Sequence, residues 1–74
     1  MVKALGRVVQ ALRLERGWTV EHAAGRFGVE PAFVRRIEAG RTNPSLAVIV
    51  SIATAFGLRA DELLRDPEPP GSGP

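Results

Sequence analysis

The sequence predicts an all-α protein: a compact bundle of five short helices without a β-sheet. Apolar residues recur at the three- and four-residue spacing of a helix along most of the chain. Glycines stand where these patterns break, which is where helices commonly end. Serine, threonine or proline stands where the next pattern begins, and these residues are favoured at helix N-termini.

The first two predicted helices are separated by a glycine and a threonine. The first helix is expected to end at Arg16, because Gly17 can adopt the left-handed conformation that closes a helix. Thr19 is expected to cap the second helix, its hydroxyl accepting a hydrogen bond from a backbone N–H one turn later. The core-facing side chains are expected to be Leu5, Val8, Val9 and Leu12 in the first helix and Ala23, Ala24 and Phe27 in the second.

The third and fourth predicted helices lie on either side of a polar loop. Pro31 suits the first turn of the third helix, because the N–H that proline lacks would have no partner there, and Gly40 is expected to end this helix. Ser45 is expected to cap the fourth helix, "LAVIVSIATAF", whose β-branched residues would otherwise suggest a strand. Its length and the Gly57 that follows favour a helix. A short fifth helix is expected at residues 60–64.

The charges are distributed unevenly along the chain, although the net charge is only +2. Residues 1–44 carry eight Lys and Arg against four Glu, whereas residues 45–74 carry two Arg against four acidic residues. A basic half points to an anionic partner, most often nucleic acid. A solvated arginine-rich surface is the alternative explanation.

The composition also bears on the class of function. No cysteine is present, so disulfides and thiolate metal sites are excluded. A single histidine cannot build an ordinary metal site, and no nucleophile–base pair or glycine-rich phosphate loop stands out. No apolar run approaches the roughly 20 residues that a membrane span needs. We therefore expect a cytoplasmic protein that is not an enzyme, with no metal, no cofactor and no membrane contact.

The chain is expected to divide into a domain at residues 1–65 and a disordered tail at residues 66–74. The tail, "DPEPPGSGP", has no apolar residue except proline and cannot bury a hydrophobic face. The preceding residues are enough for one small hydrophobic core.

Residues 19–40 have the spacing of a helix-turn-helix, in which two helices cross steeply around a tight turn. The crossing needs a small residue at the closest approach, which Ala24 supplies. The turn needs a positive φ angle, and Gly28, four residues later, can adopt one without strain. Val34 would then lock the second helix against the first. Taken alone, this triplet occurs often by chance.

Four stretches of residues 5–64 together resemble the Cro/repressor-type (XRE-like) helix-turn-helix family of transcriptional regulators. They are "LGRVVQALRLERGWT", "AAGRFGV", "VRRIEAGRTNPSL" and "IATAFGLRADELL". The most specific features are Ile-Glu-x-Gly-x-x-x-Pro-Ser-Leu and the Ala-x-Ala-x-Gly that follows. Phage repressors and restriction–modification controller proteins of this family have similar lengths. The resemblance implies a five-helix domain of the lambda-repressor-like type.

The resemblance also implies how the domain would meet double-stranded DNA. The third helix, at about residues 30–38, would enter the major groove, while the second would lie across the backbone. Base contacts are then expected from Arg35, Arg36, Ala32 and Pro31. Phosphate contacts are expected from Thr19, Arg41 and Asn43, together with backbone amides of the loop at residues 40–43.

In the family, an arginine of the first helix pairs with the glutamate that ends the recognition helix. The corresponding residues here are Arg13 and Glu38, so the resemblance implies a structural ion pair between them. Two separate solvated charges are the alternative.

The sequence departs from the family at the start of the second and third helices. Val20 stands where a polar side chain commonly contacts a phosphate, and His22 stands where a glutamate often completes a capping box, so Thr19 must cap alone. The usual polar base-reading residues are replaced by Pro31, Ala32 and Phe33. Apolar groups can touch thymine methyls but make no bidentate hydrogen bonds, so direct readout would depend on the two arginines of the helix.

The fourth helix carries more apolar residues than one buried face requires. The expected inward stripe is Leu46, Ile49, Val50, Ala53 and Phe56. A second stripe, which predicts a homodimer contact, is Val48, Ile52 and Ala55, with Leu58 or Leu64 as additional candidates. The alternative is a central helix that is covered on all sides within one subunit.

The predicted function is a sequence-specific transcriptional regulator. A two-fold homodimer would place two recognition helices one DNA turn apart on a palindromic operator. The alternative is a protein-binding module of the same fold, such as an antitoxin that holds a toxin, or an adapter. The apolar start of the third helix would suit a protein contact.

Overall fold

The computed structural model describes residues 2–64 as five α-helices joined by short loops. They are α1 (Val2–Glu15), α2 (Val20–Phe27), α3 (Pro31–Glu38), α4 (Leu46–Ala55) and α5 (Ala60–Leu64). Within this range there is no strand. The predicted all-α fold is therefore confirmed. The disorder expected for residues 66–74 lies outside the described residues.

Both predicted hydroxyl caps are present. The Thr19 hydroxyl accepts a hydrogen bond from the backbone N–H of His22 at 3.0 Å, and the Ser45 hydroxyl accepts one from Val48 at 3.3 Å. Each bond satisfies one of the N–H groups that a helix N-terminus leaves without a partner. The helices thus begin where short-range sequence signals indicate, and α1 ends one residue earlier than expected.

The helices pack around one core. α2 and α3 pack on each other, α1 packs on α3 and α5, and α4 contacts α2 and α5. Trp18 lies half-buried in the loop before α2 and stacks on Phe56, with 5.2 Å between the ring centroids. The fully covered apolar side chains are Leu5, Val9, Ala23, Ala24, Phe27, Val34, Ile37, Ile49, Ile52, Ala53, Phe56 and Leu63.

The connection between α2 and α3 has the predicted helix-turn-helix features. Ala24 and Val34 are buried, and Gly28 has a φ angle of 74°. The Gly28 and Val29 N–H groups both donate to the carbonyl of Ala24, at 2.9 and 3.0 Å. This tight reversal turns the chain out of α2 and into α3, which fixes the angle between the two helices.

α1 approaches the C-terminal end of α3 very closely at Gly6. A Cβ atom at this buried glycine would collide with the backbone carbonyl oxygens of Ile37 and Glu38. Glycine inside a helix costs about 1 kcal/mol relative to alanine. Here that cost is offset by close packing, which brings Arg13, two turns along α1, into reach of Glu38.

The predicted orientation of α4 is wrong in part. Leu46 and Val50, expected to point inward, are 67% and 47% exposed, whereas Ile52, expected in the dimer contact, is fully buried. Val48 and Ala55, the other two residues of that stripe, are partly buried and pack against the core.

The buried face of α4 is Ile49, Ile52, Ala53 and Phe56. Eight of the ten residues of α4 are apolar, so their spacing did not identify the inward face. The positions of the neighbouring helices determine it. Ile52 joins the buried cluster that includes Leu63 of α5, while Val50 lines an open cleft beside the C-terminal end of α2.

Candidate nucleic-acid interface

α3 presents one continuous exposed face. Val34 and Ile37 hold the opposite face in the core, so Ala32, Arg35 and Arg36 project outward together. This is the i, i+3, i+4 relationship of one helix surface. Pro31, also predicted to touch bases, is partly buried at the start of the helix. The face therefore consists of one small side chain and two cationic ones.

Arg36 is held over an aromatic ring. The centre of its guanidinium lies 5.4 Å from the centroid of Phe33, which is itself half-buried. A cation–π contact of this kind is worth about 0.5–1 kcal/mol at an exposed site. Because the ring is neutral, it does not offset the positive charge of Arg36. Phe33 thus serves as a platform for Arg36 rather than as a free apolar surface.

Arg35 is held by an acidic residue of α2. One of its Nη atoms donates to a carboxylate oxygen of Glu21 at 2.8 Å, and both side chains are largely exposed, at 58% and 65%. A hydrogen bond from its own backbone N–H and the Arg35 guanidinium lower the pKa of Glu21 below its usual range. The carboxylate is therefore ionised throughout the neutral range, and the pair links the two helices of the motif.

A second ion pair links α3 to α1. Nε of Arg13 donates to one carboxylate oxygen of Glu38 at 2.7 Å, and an Nη atom donates to the other at 3.1 Å. The second Nη atom donates to the carbonyl of Trp18 at 2.9 Å. The two side chains are only 11% and 7% exposed. The bond to Glu38 raises the pKa of Arg13 above its ordinary value, so the arginine remains charged.

The residues expected to contact phosphates are all exposed. Thr19 uses its hydroxyl oxygen to cap α2, which leaves the hydroxyl hydrogen available for donation. Arg41 and Asn43 lie in the loop between α3 and α4. The backbone N–H groups of Gly40 and Arg41 already donate to the carbonyls of Ile37 and Arg36, so at these two positions only the Arg41 guanidinium is available to an anion.

Two more cations lie beside this loop and were not predicted as site residues. Lys3 and Arg7 occupy exposed positions one turn apart on α1 and line a shallow depression with Glu38, Ala39 and Gly40. Their i, i+4 spacing is visible in the sequence, but their proximity to Gly40 depends on how α1 crosses α3. They extend the positive surface from α3 and its loop onto α1.

Within residues 2–64, no group of three or more acidic or histidine side chains is arranged to hold a metal ion. None of the helices described is both long enough and apolar enough to cross a membrane.

The sequence of most of the chain matches a known family. The description of that family is "Helix-turn-helix domain", and the match covers residues 4–66. This chain belongs to the helix-turn-helix family. The resemblance to Cro/repressor-type, XRE-like regulators that the sequence predicted is thereby confirmed.

The relatives are transcriptional regulators by name. The HTH-type transcriptional regulator DdrOP3 of Deinococcus deserti is 35% identical over 60 residues, which cover 81% of this chain and 46% of the relative. The uncharacterized HTH-type transcriptional regulator YazB of Bacillus subtilis is 36% identical over 58 residues, covering 78% of this chain and 84% of YazB. The chain thus spans less than half of DdrOP3 but most of YazB.

Solved structures share the same fold. The restriction-modification controller protein C.AhdI of Aeromonas hydrophila superposes with a TM-score of 0.79 and 31% identity, over 84% of this chain and 94% of C.AhdI. The hypothetical transcription factor NHTF from Neisseria superposes with a TM-score of 0.82 and 31% identity, over 88% of this chain and 75% of NHTF. The five-helix arrangement is therefore that of helix-turn-helix regulators.

Proposed function

We propose that this protein is a transcriptional regulator that binds double-stranded DNA with α3 in the major groove. The observation that carries the proposal is the exposed face of α3, on which Ala32, Arg35 and Arg36 project together from a firmly packed helix. Arginine donating to guanine is the commonest specific base contact, and a small side chain such as Ala32 allows close approach to a thymine methyl. In this role the protein acts in the cytoplasm and needs no catalytic group.

The proposed phosphate contacts surround this face. One is the Thr19 hydroxyl at the start of α2, and the others are the side chains of Arg41 and Asn43 in the loop between α3 and α4. These contacts fix the register of the protein on the duplex. Lys3 and Arg7 add charge on the α1 side of the loop. Each neutralised phosphate releases counterions, so binding weakens steeply as salt increases.

The protein-binding alternative has less support. The apolar residues at the start of α3 were the feature of the sequence that favoured an antitoxin or adapter. Pro31 and Phe33 are both partly covered, and the Phe33 ring carries Arg36 on its surface. What α3 exposes is mainly cationic, which favours an anionic partner.

The role of α3 can be tested by fluorescence anisotropy with a labelled duplex. The duplex is the sequence that binds most tightly in a selection from a random pool. Arg35→Ala and Arg36→Ala are each expected to weaken binding to the selected duplex about tenfold or more, since a bidentate arginine contact contributes about 1–3 kcal/mol. Arg26→Ala is the matched control, because Arg26 is exposed on α2 but lies over the Trp18 ring. If all three variants bind like the parent, α3 is not the reading helix.

The proposal includes a homodimer on a palindromic operator, with a revised contact surface. Burial of Ile52 removes it from the contact, and Val48 and Ala55 remain only at the edge. The large apolar side chains that α4 exposes are Leu46 and Val50, which lie across the helix from the predicted stripe, so the proposed contact moves to them. An operator with two-fold symmetry would be matched by two subunits that pair about a two-fold axis.

Sedimentation at micromolar concentration tests the dimer. Val50→Asp is expected to give a folded monomer, whereas Leu14→Asp, a change at an apolar residue of α1 that is more exposed than Val50, is expected to leave the dimer intact. A parent protein that sediments as a monomer, or a dimer that only Leu14→Asp disrupts, would contradict the assignment.

A further inference from the structure

The ion pair between Arg35 and Glu21 places an anion on the surface proposed to face DNA. Glu21 lies in the first turn of α2 and reaches Arg35 in the middle of α3, 14 residues later in the chain. Phosphates repel a carboxylate in this position, so Glu21 opposes non-specific binding. The presence of Glu21 on this surface therefore needs a reason other than general affinity for DNA.

Stability does not supply that explanation. Both side chains are more than half exposed, and ion pairs in such surroundings are screened by water and salt and contribute little to stability. The two helices are already locked together by the buried Ala24 and Val34 and by the turn at Gly28. Removing the pair should therefore leave the motif intact.

The geometry of the pair suits a role in orientation. Only one Nη atom of Arg35 contacts Glu21, so most of the five guanidinium N–H donors remain available for a ligand. A free arginine side chain loses much rotamer entropy when it is fixed, and one that is already held in place loses less on binding. The carboxylate also offsets the charge of Arg35, which weakens its attraction to phosphates but preserves its donors for a base edge.

We propose that Glu21 is a positioning residue that directs Arg35 toward a base and away from the phosphate backbone, and that it thereby sets sequence specificity. The inference rests on the proposed DNA-binding function and adds the residue that makes one of its two arginines selective. Arg36 provides the internal contrast, since its partner, Phe33, is a neutral ring. Arg36 keeps its full attraction to phosphates, whereas Arg35 gives mainly discrimination.

The test compares two duplexes, the selected operator and a scrambled sequence of the same composition. Glu21→Gln keeps the size of the side chain and removes its charge. It is expected to bind the scrambled duplex as tightly as the parent or more tightly, and to lower the ratio of operator to scrambled affinity about tenfold, the value of one good bidentate contact. If both affinities rise by the same factor, or the ratio is unchanged, Glu21 only repels DNA and the proposal is wrong.

Two further variants isolate the pair. Glu15→Gln removes an exposed carboxylate from the end of α1 and is expected to leave the ratio unchanged. In an Arg35→Ala background, Glu21→Gln is expected to have no further effect on the ratio, because the side chain that it positions is absent. A ratio that falls equally in both backgrounds would overturn the positioning role.

Failure of this inference can be separated from failure of the proposed function. If Arg35→Ala has no effect on binding in the otherwise unchanged protein, α3 does not read DNA through Arg35 and the proposed function is overturned at this residue. If Arg35→Ala weakens operator binding while Glu21→Gln leaves the ratio unchanged, only the role of Glu21 is overturned.

Discussion

α3 is joined to its neighbours by two ion pairs of nearly equal length that lie in very different surroundings. Arg13 and Glu38 meet at 2.7 Å between α1 and α3, with side chains that are 11% and 7% exposed. Arg35 and Glu21 meet at 2.8 Å between α3 and α2, with side chains that are 58% and 65% exposed. Arg13 also donates a hydrogen bond to the Trp18 carbonyl, whereas most of the N–H donors of Arg35 remain available.

The comparison shows that burial, rather than distance, determines what such a pair can do. Removing one partner of a buried pair leaves an uncompensated charge, which costs about 3 kcal/mol or more. An exposed pair is screened by water and salt and contributes little to stability. The buried pair can therefore hold α3 at a fixed angle, and the exposed pair can orient Arg35 while leaving most of its donors open to a ligand.

The largest expected effect is on stability, at the buried pair. Glu38→Ala leaves Arg13 unpaired and should lower the free energy of unfolding by about 3 kcal/mol. For a domain of this size that corresponds to a fall in Tm of roughly 15 °C. Glu21→Ala, measured in the same thermal unfolding experiment, should change Tm by only a few degrees. Equal losses in the two variants would remove the distinction between the pairs.

A smaller effect is expected from two glycines that share a helical setting and differ in what surrounds them. Gly6→Ala places a methyl group against the Ile37 and Glu38 carbonyls and should push α1 from α3, at a cost of about 2 kcal/mol. Gly25→Ala, on the open surface of α2, meets no atom within 4 Å and should stabilise the domain by up to about 1 kcal/mol. Denaturant unfolding should thus give opposite signs, and a stabilising Gly6→Ala would contradict the close packing beside Glu38.

The smallest expected effect is the response to acid. Because the folded-state pKa of Glu21 is lowered, its contribution to stability is present above the unfolded pKa and is lost as pH falls through the folded pKa. The Tm difference between the parent and Glu21→Gln should be constant above about pH 5 and shrink below it. The pKa of Arg13 is raised, so its contribution is lost only as pH rises through that value, beyond the neutral range. A Tm difference that varies between pH 6 and 8, roughly, would contradict this account.

The sequence predicts those features of the fold that depend on residues close together along the chain. The caps at Thr19 and Ser45, the turn at Gly28 and all five helices were predicted because each is specified within a few positions along the chain. The inward face of α4 was predicted incorrectly in part, because α4 itself carries apolar residues on nearly every side. Only the placement of α2 and α5 identifies Ile52 as buried and Val50 as exposed.

The same limit on what the sequence can predict applies to the candidate site. Spacing along one helix is enough to place Ala32, Arg35 and Arg36 on a common face of α3. The contact of Arg35 with Glu21 was not predicted, because it depends on the angle between two helices and on the side-chain rotamers that this angle allows. The proximity of Lys3 to Gly40 likewise depends on the crossing of α1 and α3.

The most direct test of this account is the NMR signal of each arginine Nε–H during a titration with the selected duplex. We expect the Arg35 and Arg36 signals to shift strongly as the duplex is added, because these side chains leave water for the groove. We expect the Arg13 signal to remain nearly unchanged, because its Nε–H stays bonded to Glu38 inside the domain. If Arg35 and Arg36 are unaffected at saturating duplex while Arg13 shifts, α3 does not read DNA and the two ion pairs have the reverse of the roles assigned to them.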